Sequence, residues 1–190
     1  MTLLYKYLFP AMWLGYLAYW RAMSTKVKPT ERREPAPSRI TRLALMICAI
    51  ALLALKSVPL PFLNVRFLPV NDLWFWVGAA ITAIGLLFSV WARHHLGDNW
   101  SQAVTVKAGH ELIQSGPYAL VRHPIYTGLV LAFVGSAVAR GEWRGLLAVV
   151  LIFVALWSKL RLEEKWMRAQ FGESYEAYSR RVSALVPGIL

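Results

Sequence analysis

The sequence predicts an all-α, polytopic membrane protein of about five transmembrane helices that closes in a C-terminal helical hairpin. Three observations lead there. Hydrophobic residues fill 57% of the 190 positions and charged residues only 16%, against about 25% charged in a soluble domain. The apolar residues gather into five segments. Lysine and arginine crowd the connections on alternate sides of them, as membrane topology demands. Residues 1–190 read as a single membrane domain.

The first segment runs from about Leu3 to Trp20. No small-residue cleavage site follows it, so it is expected to be retained rather than removed as a signal. The stretch STKVKPTERREPAPSR, residues 24 to 39, reads as a flexible linker rich in proline and charge, and as a cytoplasmic anchor. The second segment spans Leu43 to about Leu63, with Lys56 and the Pro59/Pro61 pair ending its straight part. The third runs from about Leu73 to Ala92, carrying Trp74, Trp76 and Trp91 near its ends, where membrane aromatics favour the interface. The fourth, Ile125 to Ala139, is short for a bilayer that needs roughly 20 apolar residues. The fifth runs from about Leu146 to Leu160 and then turns charged.

Only RGEWR, residues 140 to 144, joins the fourth and fifth segments, which forces an antiparallel helical hairpin. Gly128, Gly135, Ser136 and Ala139 would let its helices approach closely. The first connection holds seven basic residues, from Arg21 to Arg42, and is read as cytoplasmic; the second holds only Arg66 and faces outward. The third connection and the tail beyond Lys159 then lie inside, and the N-terminus outside. Short loops point to a prokaryotic cell membrane.

A net charge of +11 would suit nucleic acid in a soluble chain. Here it marks cytoplasmic loops and contact with anionic membrane lipid, and no nucleic-acid partner is expected. Cys48, the lone cysteine, sits in an apolar run and reads as a buried structural thiol. The four histidines have no metal-ligand spacing, so no metal site is expected. Metalloprotease, nucleophile-elbow, Walker and dinucleotide-binding motifs are absent from the sequence.

Two polar stretches flank the hairpin, residues 93 to 126 and residues 159 to 182, so the hairpin brings their membrane-proximal ends together. His110, Tyr118, Arg122, His123 and Tyr126 thereby come within reach of Lys159, Arg161, Glu163 and Glu164. Each residue has a bland alternative. Pro124 is a good first helical residue, Gly116-Pro117 a turn, and Arg122 and His123 interfacial side chains. Glu163 and Glu164 pair with neighbouring cations on one solvated helix in that alternative. Ionisable groups at membrane depth are nonetheless functional candidates.

HELIQSGPYALVRHPIYTG, followed by RLEEKWMRAQFGESYEAYSRRV, resembles the isoprenylcysteine carboxyl methyltransferase family, integral membrane enzymes that use S-adenosyl-L-methionine. The resemblance covers roughly residues 93 to 187; the first two segments match only as generic spans. It divides the domain into three N-terminal membrane helices, 1–92, and a catalytic half, 93–190, with a cofactor-binding loop, the hairpin and a tail. It implies a cytoplasmic cofactor pocket held by His110, Glu111, Leu112 and Ile113, by Tyr118, by His123, Pro124, Ile125 and Tyr126, and by Glu163. Eukaryotic members carry an arginine four positions before that glutamate, implicated in positioning the substrate carboxylate. Lys159 stands here instead, and lysine lacks the planar two-donor fork. Candidate catalytic residues are therefore Lys159, Arg161 and Arg122.

The resemblance implies O-methylation of an isoprenylcysteine carboxylate or a similar lipophilic acceptor. Methylation of a phospholipid amine, a thiol or a phenol is the nearest alternative. An NADPH-dependent membrane reductase related to sterol reductases, and a non-enzymatic scaffold, also remain open. A carboxylate is already ionised and needs no general base, whereas a thiol or amine would call on His110, His123 or Glu164.

Overall fold

The computed structural model describes residues 2–23, 36–97 and 112–189. Seven α-helices are seen among them: α1 Thr2–Met23, α2 Ala36–Ala54, α3 Asp72–Leu96, α4 Pro117–Leu120, α5 Pro124–Arg140, α6 Trp143–Phe171 and α7 Glu173–Arg181. The five apolar segments are α1, α2, α3, α5 and α6. Of these, α2, α3 and α6 are long and apolar enough to cross a membrane. Helix α5 has 17 residues, about 25 Å at 1.5 Å per residue, just short of a hydrocarbon core of roughly 30 Å. Large apolar side chains point outward along the helices, among them Ile40, Ile47, Ile84, Leu87 and Val150. An apolar exterior of this kind belongs to a multi-pass membrane protein.

The centre is the antiparallel pair α3 and α5, and glycine decides its spacing. A Cβ on Gly85 would lie 2.5 Å from the Gly128 carbonyl oxygen, and one on Gly135 2.4 Å from the Thr82 nitrogen. Backbone therefore meets backbone, the close approach that small residues permit in membranes. Thr82 and Ser136 hydrogen-bond at the contact, 3.4 Å apart. Helix α1 is tied to this pair from the side. Trp13 Nε1 donates to Ser136 Oγ at 3.2 Å, and the Tyr16 hydroxyl meets Ser89 Oγ at 2.9 Å.

Helices α5 and α6 form the predicted hairpin, joined by Gly141 and Glu142 alone. Gly141 takes φ +65° and ends α5 in the left-handed region that glycine favours. Arg140 and Arg144 then do something the sequence did not advertise. They reach across to carbonyls at and just beyond the C-terminal end of α2: Arg140 Nη1 to Leu53 at 2.6 Å, Arg144 Nη1 to Leu55 at 2.9 Å and Arg144 Nη2 to Lys56 at 3.0 Å. Guanidinium groups satisfy the orphan carbonyls and favour the negative end of the helix.

Three expectations change. Helix α2 begins at Ala36 and stops at Ala54, seven residues earlier than predicted at its start and nine at its end. Residues 36 to 39 of the proposed linker are helical, and residues 24 to 35 lie outside the described part. The stretch around Pro61 is a separate short 3-10 turn, Pro61–Asn64. Cys48 is exposed rather than buried, because its face of α2 turns away from the protein; an apolar run in a membrane segment does not imply burial within the chain. Helix α6 runs on through the charged stretch to Phe171, carried by good helix formers and i,i+4 pairs.

Candidate functional site

At one end of the bundle, the 115–127 stretch is clamped between α6 and the chain after α7. Gly116 has φ +59°, and a Cβ there would meet the His95 ring at 2.7 Å, so glycine is required twice over. His95 Nε2 pairs with Ser115 Oγ at 2.9 Å. The turn delivers the buried Tyr118 ring into the site. Pro124 opens α5 at its first turn, where the missing N–H costs nothing. The tail then locks the stretch by backbone bonds: Arg122 N to the Ser183 carbonyl at 2.9 Å and His123 N to the Ala184 carbonyl at 3.0 Å. The Tyr178 hydroxyl donates to the Tyr118 carbonyl at 2.6 Å.

Side chains complete the clamp. Arg122 donates through Nε to Glu164 Oε1 at 2.9 Å and through Nη1 to the Ser179 carbonyl at 3.1 Å and the Val182 carbonyl. Both ends of the Arg122–Glu164 pair are buried, with side chains 11% and 7% exposed. Glu163, the neighbouring carboxylate, points elsewhere. It accepts from the Tyr126 hydroxyl at 2.5 Å and lies 3.6 Å from Lys159 Nζ and 3.6 Å from His123 Nδ1. The Tyr126 and His123 rings stack at 5.6 Å with a 2° interplanar angle, and Lys159 Nζ stands 5.4 Å from the Tyr126 ring.

His123 sits between both carboxylates. Burial alone would lower its pKa, but the hydrogen-bonding and charge contributions of Glu163 and Glu164 outweigh it and hold the imidazole above its ordinary value. Its Nε2 lies 3.4 Å from Glu164 Oε1 yet is buried without a hydrogen bond. Burial, helped by the Glu163 charge, pushes the Tyr118 phenol far up, so it stays neutral. Burial likewise takes Tyr178 up to about 12.

A cavity of about 1010 Å³ opens from this cluster and continues along the bundle. Its polar end is lined by Tyr118, Arg122, His123, Tyr126, Lys159 and Glu163, with Leu112 and Ile113 beside them. Away from the cup the lining is mostly apolar, with Phe9, Trp13 and Leu17 of α1, Met46 and Ile50 of α2 and Phe133 of α5, and it also includes Lys6 and Arg140. One space thus joins a charged cup to a mostly apolar channel.

The structure brings Leu112, Ile113, Tyr118, Arg122, His123, Pro124, Ile125, Tyr126, Lys159 and Glu163 to this single cavity. Arg161 is exposed and is not among the lining residues; it sits two positions from Lys159, on another face of the helix. Glu164 is used up in holding Arg122 rather than facing the cavity. His110 and Glu111 lie outside the described residues. Several lining residues went unnoticed in the sequence. Those of α1 and α2 belong to generic apolar spans. Arg42, assigned above to the basic connection, lies inside α2 and lines the cavity; the four- and three-residue spacing of Arg42, Met46, Ile50 and Leu53 is the signal that would have found it. Tyr175 and Tyr178 are buried at 2% and 3% exposure, and both line the cavity as well.

The fold defines a polytopic membrane protein in which one cavity joins a polar cluster to a mostly apolar lining. Comparison with known proteins narrows the class. A family model described as "Phospholipid methyltransferase" matches residues 73–174, more than half of the chain, and the chain belongs to that family. A probable protein-S-isoprenylcysteine O-methyltransferase of Oryza sativa subsp. indica is 29% identical over 157 residues, 79% of this chain and 82% of its own length. A protein-S-isoprenylcysteine O-methyltransferase of Schizosaccharomyces pombe is 32% identical over 97 residues, 48% of this chain and 40% of its own. A steroid 5-alpha-reductase of Solanum lycopersicum is 31% identical over 109 residues, 55% and 41% respectively. The chain thus belongs to a family of membrane methyltransferases and is similar to protein-S-isoprenylcysteine O-methyltransferases.

Proposed function

We propose that the protein transfers a methyl group from S-adenosylmethionine to the carboxylate of an isoprenylcysteine or a similar lipophilic acceptor. The observation that carries this reading is the continuity of the cavity, from a cluster of charged groups at the cup into a mostly apolar lining. The residues present fit the cofactor. Glu163 offers a half-buried carboxylate to its ammonium or hydroxyls, the Tyr118 and Tyr126 faces suit a cationic centre, and Leu112, Ile113, Pro124 and Ile125 supply apolar walls. When bound, the cofactor supplies an electrophilic methyl on a sulfonium.

The chain's own share is positioning and exclusion of water. Lys159 offers positive charge to an acceptor carboxylate, which needs no deprotonation. Arg122 is a positioning residue here, since its donors are engaged by Glu164 and the tail. The apolar channel receives the acceptor's hydrocarbon from the bilayer. By the distribution of basic residues, the cup faces the cytoplasm of a prokaryotic cell, with the N-terminus outside. The reductase relative favours a second reading, a nicotinamide-dependent reductase in the same cavity.

The test is methyl transfer from labelled S-adenosylmethionine by detergent-purified protein to a panel holding a farnesylated cysteine analogue, an amino phospholipid and a simple thiol. Preferential esterification of the cysteine analogue is expected. Transfer confined to the phospholipid or the thiol would overturn the acceptor assignment.

A further inference from the structure

The end of the bundle opposite the cup is rich in cations, against the pattern expected of an outward face. Helix α1 runs toward the cup, where Arg93 Nη2 donates to the Met23 carbonyl at 3.1 Å. Helix α5 runs away from it, and the two are pinned together where Trp13 bonds Ser136. Lys6, seven residues before Trp13, therefore lies about 10 Å further from the cup, and Arg140, four residues beyond Ser136, about 6 Å further. Both line the far stretch of the cavity. Lys56, Arg66 and Arg144 belong to the same end. Among the described residues there, five cations stand against two carboxylates, Asp72 and Glu142.

Glu142 does not neutralise its neighbours. Its Oε2 lies 2.5 Å from Arg144 Nε and 3.4 Å from Arg140 Nε, so one carboxylate serves two guanidinium groups. Arg144 is enclosed, with a side chain 1% exposed. Arg140 gives one N–H from each Nη to the Leu53 and Leu55 carbonyls, which leaves each Nη a second N–H, and its side chain is 23% exposed. Lys6 is exposed. Between this pair and the cup, Leu14, Leu17 and Ile50 line the cavity yet are 64%, 58% and 53% exposed. The cavity is thus a groove open sideways between α1 and α2, apolar along its length and ending in two cations. We propose that it seats an anionic phospholipid from the leaflet at that end, the phosphate on Lys6 and Arg140 and one acyl chain along α1 and α2. Charge-assisted hydrogen bonds hold the phosphate. From Tyr126 to Arg140 the groove follows fourteen residues of α5, about 21 Å. One leaflet contributes about 15 Å of hydrocarbon, so the lipid leaves the stretch beside the cup free. The seat stands whichever acceptor the cup takes.

Equilibrium binding tests it on detergent-purified protein, with labelled dioleoyl phosphatidylglycerol and dioleoyl phosphatidylcholine as probes and S-adenosylmethionine binding as a separate readout. The parent protein is expected to bind phosphatidylglycerol saturably and roughly tenfold or more tighter than phosphatidylcholine, the range of a charged hydrogen bond. Lys6→Gln should erase most of that preference and leave S-adenosylmethionine affinity unchanged. Arg140→Gln should do the same to the lipid preference, and because Arg140 also caps α2, Lys6→Gln is the cleaner variant. Lys165→Gln, exposed on α6 at the cup end, should keep the preference. Equal affinity of the parent for the two lipids would overturn the seat, as would a preference intact in Lys6→Gln. A preference lost equally in Lys165→Gln would place the lipid at the cup end and overturn it too. Displacement of phosphatidylglycerol by inorganic phosphate at matching concentration would mean a free-anion site rather than a lipid seat.

Discussion

Replacing Glu164 by alanine removes the carboxylate that holds Arg122, and the consequence can be worked from the geometry. Arg122 loses its Nε and Nη2 acceptor but keeps the Ser179 and Val182 carbonyls through Nη1. Its side chain is 11% exposed, so water reaches the abandoned donors poorly. Breaking a buried pair from one side costs about 3–5 kcal/mol. The Arg168 contact to Glu164, 3.3 Å with Arg168 45% exposed, adds no more than about 1 kcal/mol. For a chain of this size, a 3–5 kcal/mol loss corresponds to a Tm drop of roughly 6–20 °C. The assay is thermal unfolding in detergent followed by tryptophan fluorescence, with Arg122→Met and the double variant closing a cycle. The double variant should be less harmed than the sum of the two. A Tm within a degree or two of the parent for Glu164→Ala would refute the reasoning that this pair clamps the cup.

Three other outcomes are expected. Glu163→Ala and Tyr126→Phe should each weaken S-adenosylmethionine binding, about tenfold or more for the glutamate, measured by equilibrium binding; two variants that bind like the parent would remove the cup from the cofactor. His123 has a raised pKa in the fold, so its stabilising charge is fully present below its ordinary value near 6.5 and is lost as pH climbs through the raised one. Tm should accordingly fall over that rise in pH, and His123→Gln should flatten the dependence; an equal slope in the variant would contradict it. Gly128→Leu should destabilise by at least about 1–3 kcal/mol, because a Cβ there would lie 2.5 Å from the Gly85 carbonyl oxygen, whereas Gly15→Ala, with nothing within 4 Å of its Cβ, should be neutral. Equal thermal stability of the two variants would count against the glycine-set contact of α3 and α5.

Membrane spans announce themselves by composition, so the five apolar helices and the α5–α6 hairpin were legible residue by residue. Their ends were less so. Lys56 and the two prolines do not by themselves say that α2 stops at Ala54; what closes it is Arg140 and Arg144, more than 80 residues away. Helix α6 outlasts its apolar part because Glu, Lys and Arg continue a helix as readily as leucine does. The cup was legible where chemistry sits in one short stretch, from Tyr118 to Tyr126 and at Glu163. It was opaque where the residue type is ordinary for its segment. Arg42 looked like one more cytoplasmic cation, and Trp13 and Met46 like lipid-facing apolar residues. Only their convergence on one cavity separates them from their neighbours. The division of labour between adjacent glutamates, Glu163 to the cavity and Glu164 to Arg122, likewise depends on which face of α6 meets α5.

Saturable binding of labelled S-adenosylmethionine to the detergent-purified protein, with NADPH as the competing ligand, is the most direct test of the central claim. The expected result is saturable cofactor binding that NADPH does not displace. No saturable binding of S-adenosylmethionine, together with saturable binding of NADPH, would contradict it.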